Sequence, residues 1–271
     1  MLNLNQSLTD IEKQRTLYRI LLNRSRYKRE LQKAEWQRAA TLLPLSQKKH
    51  QRVNTNKIFV QECEGTQRAF ESARENVMAP QLTVENIMGW HTQMLKGIAP
   101  HAVGQFRHGR AYWLMSTMLF ANWEKIPYLM DNLVDSINKQ HIPALYWKER
   151  PDRQFQNVSH NPLVTAIEAN YNLVAIHPFQ DGNKRTARLV ASWVLGRQGY
   201  VPLCIYDNMT YIDCIEAYTN TRKPHAFYGF LLDQMHQSYE DAIKEAKSME
   251  KVIVPGTRNG ARVKCTKGMA R

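Results

Sequence analysis

The chain is poor in several things, and each shortage removes a class of protein. Its four cysteines, Cys63, Cys204, Cys214 and Cys265, lie far apart and form no C-x-x-C pair. That spacing argues against a zinc site, and a chain of 271 residues needs no disulfide framework to fold. No apolar run approaches the ~18 residues of a membrane span. The first residues, Met-Leu-Asn-Leu-Asn-Gln, contain no apolar core of a secretory signal, so a reducing cytoplasm is the expected setting. Export into a host cell by a specialised route would leave no mark readable in this pattern. Acid is scarce as well: 24 Asp and Glu face 37 Lys and Arg, a net charge of +13. Such an excess suits acidic partners, among them nucleotides, nucleic acid, anionic membrane and acidic proteins. A well-solvated basic surface accounts for it equally well.

The order along the chain is helical. Residues 8–41 read as one helix with Ile11, Leu17, Ile20, Leu21, Leu31 and Ala34 at helical spacing, and Pro44 closes the segment. With residues 1–56 this makes a basic N-terminal arm, suited either to packing on the main body or to lying on nucleic acid or a membrane. Further helices are expected at 57–78, from the N-cap Thr83 to Lys96, and at 127–139, 162–176, 185–197, 210–219 and 224–248. Between Arg110 and Trp123 the β-favouring Tyr112, Trp113, Leu114, Met115, Thr117, Leu119 and Phe120 predict a short hairpin. In it, Met115 and Leu119 are expected in the core. The expected class is all-α with one small β-hairpin: a central domain over 57–248, and a basic, disordered tail over 249–271, which has no acid after Glu250.

One contiguous stretch carries chemistry: Ile176-His177-Pro178-Phe179-Gln180-Asp181-Gly182-Asn183-Lys184-Arg185-Thr186-Ala187-Arg188. His177 follows an apolar helix end, Pro178 stiffens the exit, and Phe179 can plug into the core. Gly182 and Asn183 tolerate positive φ, so successive N–H groups can turn inward as an anion nest. The next helix begins near Lys184 or Arg185 and aims its positive end at the loop. Arg185 and Arg188 share a helix face and can grip one polyphosphate. Asp181 is a hard oxygen ligand suited to Mg²⁺, and His177 a base that titrates near neutrality. Each residue alone has a plain structural reading: a buried His, a turn, two solvated arginines. The contiguous set points to attack on a phosphorus atom.

The stretch resembles the signature of the Fic (filamentation induced by cAMP) family, His-Pro-Phe-x-(Asp/Glu)-Gly-Asn-Gly-Arg-x-x-Arg, at every position but one, Lys184 standing for Gly. Gly104-Gln105-Phe106-Arg107 is similar to the Gly-x-x-Arg element before the family's flap, and the likeness extends over roughly 57–240. The resemblance implies a mostly helical fold and transfer of AMP from ATP to a Ser, Thr or Tyr hydroxyl of a target protein. It implies His177 as general base, Asp181 on Mg²⁺, Gly182 and Asn183 in the anion hole, and Arg185 and Arg188 on the β- and γ-phosphates, with Lys184 beside them. A flap bearing Arg110, Tyr112 and Leu114 would hold the target as an added strand. Lysine at this position also occurs in the related Doc proteins, which transfer the γ-phosphate; those have Ala at the Gly182 position and lack the second arginine. Retention of Gly182 and Arg188 favours AMP transfer over that alternative. Within Val60-Gln61-Glu62-Cys63-Glu64-Gly65, Glu64 resembles the family's inhibitory glutamate and would pair with Arg188, although Val60 replaces the usual hydroxyl residue. A separate antitoxin chain is the other expected source of inhibition. A third reading, from another class, is a basic nucleic-acid-binding regulator with a degenerate core.

Overall fold

A computed structural model describes residues 4–42, 55–99, 103–112, 118–140, 161–221 and 223–251. Nine α-helices are present among them: α1 (Leu4–Arg24), α2 (Lys28–Thr41), α3 (Thr55–Asn76), α4 (Val84–Leu95), α5 (Ile126–Asn138), α6 (Pro162–Ile176), α7 (Asn183–Arg197), α8 (Asn208–Thr221) and α9 (His225–Lys251). No strand occurs among the described residues. The all-α expectation holds.

Local chemistry sets several of these boundaries. At α4 the Thr83 hydroxyl accepts from Asn86 N at 3.2 Å and the Asn86 side chain accepts from Thr83 N at 3.0 Å, a reciprocal cap. At α6 the Asn161 side chain accepts from Leu163 N at 2.9 Å, and Pro162 fills the first helical position, where no N–H is needed. Residues 8–41 are not one helix, as the periodicity suggests. They break at 25–27, where Ser25 Oγ accepts from Tyr27 N at 3.1 Å and offers the backbone an alternative to the helical ladder.

The core forms around α6, in which every residue from Leu163 to Ile176 is buried. α7 packs most extensively on it, α5 lies on another side, and α3 and α4 pack against each other and against α7. Burying a whole helix buries its polar residues too, and most of their polar atoms find partners, Asn170 Nδ2 being an exception. Glu168 accepts from the hydroxyls of Tyr218 and Tyr228, and Asn170 accepts from Tyr211 Oη at 2.7 Å. The N-terminal helices are part of this body. α1 runs along α9 and α2 along α3, and Leu8, Ile11, Tyr18, Leu31 and Trp36 belong to the continuous core. Polar ties hold the arm down: Tyr200 Oη donates to Glu12, Arg38 pairs with Glu245, and His236 Nδ1 lies 2.8 Å from Gln14 Oε1.

The expected hairpin is only partly within view. Its flanks, 110–112 and 118–122, carry no strand, and residues 113–117, including Leu114 and Met115, lie outside the described residues. Leu119 is 80% exposed, against the expectation of a core position; its neighbour Met118 is buried instead. The segment 252–271 also lies outside the described residues, as does Cys265. No described helix is long and apolar enough to cross a membrane.

Candidate active site

The α6–α7 connection is built on two left-handed residues. His177, the C-cap of α6, has φ 52° and ψ 58°, and Gly182, the N-cap of α7, has φ 79°. The second positive φ therefore falls on His177 and not, as the residue types suggested, on Asn183. Asn183 is already the first residue of α7. Its side chain clamps the loop: Phe179 N donates to Asn183 Oδ1 and Asn183 Nδ2 donates to Phe179 O, both at 2.8 Å. Phe179 is fully buried, the plug that the sequence suggested.

A non-glycine residue in the left-handed region needs support from its surroundings. Arg107 supplies it. The guanidinium is buried and donates from Nε to His177 O at 2.6 Å and from Nη2 to Ile176 O at 3.3 Å, so it caps the carbonyl end of α6. The same group donates to Gly109 O at 2.5 Å and Ala121 O at 2.6 Å, while Arg107 N donates to Pro178 O at 2.9 Å. One side chain thus joins the end of α6, the start of the motif and both roots of the flap segment.

The His177 ring stacks on Phe120, with centroids 3.9 Å apart, and its buried Nδ1 has no hydrogen-bond partner. Burial, and then the charge of Arg107, pushes its pKa down to about 4. The imidazole is therefore neutral at pH 7 and able to accept a proton.

The start of α7 has no side-chain cap and no acid in its first turn, and the Asp181 carboxylate just before it takes only the N–H of Gly182. Three cations follow. Lys184 is half-buried, and burial together with Arg188 pushes its pKa down to about 8. Arg185 and Arg188 both leave the same helix, but they are tied to different neighbours. Arg185 Nη1 donates to buried Glu62 of α3 at 2.5 Å, and Arg185 Nη2 lies 3.9 Å from Asp181 Oδ1. Arg188 donates from Nη2 to Asn208 Oδ1 at 2.5 Å and lies over the Tyr211 ring at 4.4 Å. It is 1% exposed, and its Nε and Nη1 are buried without an acceptor.

Asp181 is the open carboxylate of the loop, 43% exposed, with Oδ1 accepting from Gly182 N at 2.6 Å. No group of three or more His, Cys, Asp or Glu side chains able to hold a metal occurs among the described residues. A single accessible carboxylate does not cage an ion, but it fits Mg²⁺ that arrives on phosphates and keeps most of its ligands from them and from water.

Of the other candidates, Arg110 and Tyr112 are exposed, Tyr112 by 78%, as a docking edge requires. Glu64 is not brought to Arg188. It lies on the outer side of α3, 59% exposed, 3.6 Å from Arg68. The acid that enters the site is Glu62, two residues earlier, and it meets the first motif arginine. Sequence reading also passed over His91 and the role of Arg107. His91 is fully buried, stacks on Phe179 at 3.8 Å and contacts Asp181 O at 2.9 Å.

The Fic/DOC family model matches residues 81–195. A protein adenylyltransferase Fic of Drosophila erecta is 30% identical over 125 residues, 46% of this chain and 22% of that protein. The Drosophila melanogaster protein of the same name matches 46% of this chain at 30% identity. The chain thus spans about a fifth of the length of these relatives. A Fic-domain signalling protein from Bacteroides thetaiotaomicron superposes with a TM-score of 0.67 at 20% identity, over 88% of this chain and 98% of that one. Fic-1 from C. elegans superposes with a TM-score of 0.66 at 19% identity, over 90% and 73%.

Proposed function

We propose, from the match of residues 81–195 to the Fic/DOC family model, that the chain is a protein adenylyltransferase of that family, moving AMP from ATP to a Ser, Thr or Tyr hydroxyl of a target protein. The observation that carries this reading is the pairing of a neutral His177 imidazole with a helix start that bears Lys184, Arg185 and Arg188 and has no side-chain cap. The adenylyltransferase names of the fly relatives support it.

In this reading the target hydroxyl gives its proton to His177 as its oxygen attacks the α-phosphorus. A new O–P bond forms, the α–β bridge breaks, and pyrophosphate leaves. The N–H groups at the start of α7 would face the charge that builds on the phosphates, and Lys184 and the arginines would offset it. Asp181 would hold Mg²⁺, which would neutralise the leaving pyrophosphate. Arg110 and Tyr112 would form part of the edge along which the target lies. Asn183 acts one step back, fixing the loop through the Phe179 backbone.

The half-buried Lys184 favours a second reading, transfer of the γ-phosphate, and one assay separates the two. ATP labelled at the α- or the γ-phosphate is incubated with the protein and a lysate. The first reading expects protein-bound α-label that His177→Ala lowers by a factor on the order of 10³. Protein-bound γ-label without α-label would replace the first reading by the second. Absence of both labels, with salt-sensitive nucleic-acid binding, would favour a regulator.

A further inference from the structure

We propose that His91, on α4, is a positioning residue of this site: it sets the carbonyl of Asp181 and the turn at Gly182, and through them the place of the Asp181 carboxylate. The inference rests on the reading of Asp181 as the Mg²⁺–nucleotide ligand.

Two hydrogen bonds fix the chemistry of the ring. Gly104 N is a donor, so His91 Nδ1, 3.2 Å away, accepts. Asp181 O is an acceptor, so His91 Nε2, 2.9 Å away, donates. Only one neutral tautomer meets both demands, with the proton on Nε2. The ring faces are used too: His91 stacks on Phe179 with centroids 3.8 Å apart and planes 10° from parallel.

The imidazole is therefore a junction between α4, the Gly-x-x-Arg segment and the motif loop. Together with its neighbours on α4 it leaves no room for a side chain at two glycines. A Cβ at Gly182, where φ is +79°, would stand 3.3 Å from His91 Nε2 and 3.2 Å from Leu95 Cδ1. Gly104 has φ +62°, and a Cβ there would meet Thr92 Oγ1 at 2.5 Å. The loop comes this close because the ring holds it there. Gly182 N then donates to Asp181 Oδ1 at 2.6 Å, so the position of the turn passes directly to the carboxylate. Residues that orient a ligand's own support commonly matter as much as many direct contacts.

Three variants separate positioning from simple packing. His91→Gln keeps an N–H where Nε2 lies, His91→Asn keeps an acceptor where Nδ1 lies, and His91→Phe keeps the stacked ring but neither hydrogen bond. Two measurements are made on the full chain: calorimetric affinity for ADP across a Mg²⁺ series, and amide hydrogen exchange at 179–186 without nucleotide. His91→Gln is expected to stay near wild type in both. His91→Asn and His91→Phe should raise the Mg²⁺ needed for half-maximal ADP affinity roughly 10–100-fold and speed exchange at Gly182 to Arg185. A folded His91→Phe with wild-type exchange and Mg²⁺ dependence would overturn the inference, as would a His91→Gln that falls as far as the other two. Wild-type protein that binds Mg²⁺–ADP yet transfers no α-label would instead defeat the adenylyltransferase reading alone.

Discussion

Replacing Arg107 tests whether the left-handed start of the motif is held from outside. Arg107→Met keeps most of the aliphatic stem and removes the guanidinium. Four backbone acceptors lose their donor: His177 O, Ile176 O, Gly109 O and Ala121 O. Hydrogen bonds from a charged donor are worth about 1.5–3 kcal/mol each, and an abandoned buried acceptor costs about 1–3 kcal/mol. The full sum is not expected, because a buried guanidinium is itself expensive to desolvate and the loop can relax toward water. A loss of about 4 kcal/mol is the resulting figure. For a chain of this size each kcal/mol moves the melting midpoint by roughly 2–4 °C, so Tm should fall by roughly 8–16 °C. Arg107→Lys, which carries the charge without the fork, should recover about half of the loss. Urea and thermal unfolding read both. The Arg107 charge is also the second cause, after burial, of the low His177 pKa. Nuclear magnetic resonance titration of the His177 ring should therefore show its pKa rising in Arg107→Met. A loss below about 1 kcal/mol, with the His177 titration unmoved, would refute the assignment of Arg107 as the cap of α6.

The two depressed histidines make stability depend on pH. Both His91 and His177 fall from 6.5 to about 4, chiefly through burial. Their contribution is complete above pH 6.5 and is lost as pH falls toward 4, at up to about 1.4 kcal/mol per pH unit for each ring. Urea unfolding at pH 7.0 and 5.5 should differ by roughly 2 kcal/mol, and a His91→Phe, His177→Ala double variant should remove most of that difference. On α3, Glu62→Ala leaves Arg185 buried without its carboxylate and should cost about 3–5 kcal/mol. Glu64→Ala should stay within about 0.5 kcal/mol and leave label transfer unchanged. A rise in self-modification in Glu64→Ala would restore Glu64 as an inhibitory residue.

The motif was legible because its parts are adjacent in the chain, so their chemistry could be read without knowing how distant segments meet. Helix limits at Thr83 and Pro162 were legible for a similar reason: caps and breakers act on their own few residues. Partners across space were not. Glu62 and Glu64 are indistinguishable as letters, but at 100° per residue they stand about 200° apart around α3. One faces α7 and Arg185; the other faces solvent and Arg68. The arginines misled in the same way. Spacing of three places Arg185 and Arg188 on one side of α7, yet long side chains turn toward whatever partners the fold offers, here Glu62 and Asn208. His91 gave no signal at all, since a lone histidine on an apolar helix face looks the same whether it packs or positions. The break at 25–27 was hidden because apolar spacing continues across it.

The separate anchoring of the two arginines has an electrostatic consequence that a shared grip would not. Arg185 is matched by the Glu62 carboxylate, so its charge is largely spent inside the protein. Arg188 is held by an amide oxygen and an aromatic face, both neutral, and keeps its charge although buried. The field at the start of α7 is therefore carried by Arg188, Lys184 and the helix dipole, while Arg185 acts mainly to hold its place beside Asp181. Charge kept in a dry, fixed position acts on an arriving polyanion without first being reorganised. The same arrangement bears on His177. Burial chiefly, and after it the charges of Arg107 and Lys184, hold its pKa down, and a bound triphosphate would offset the part due to the charges and raise it toward the range where a base works best. The imidazole would thus gain some basicity when a nucleotide is present to be attacked.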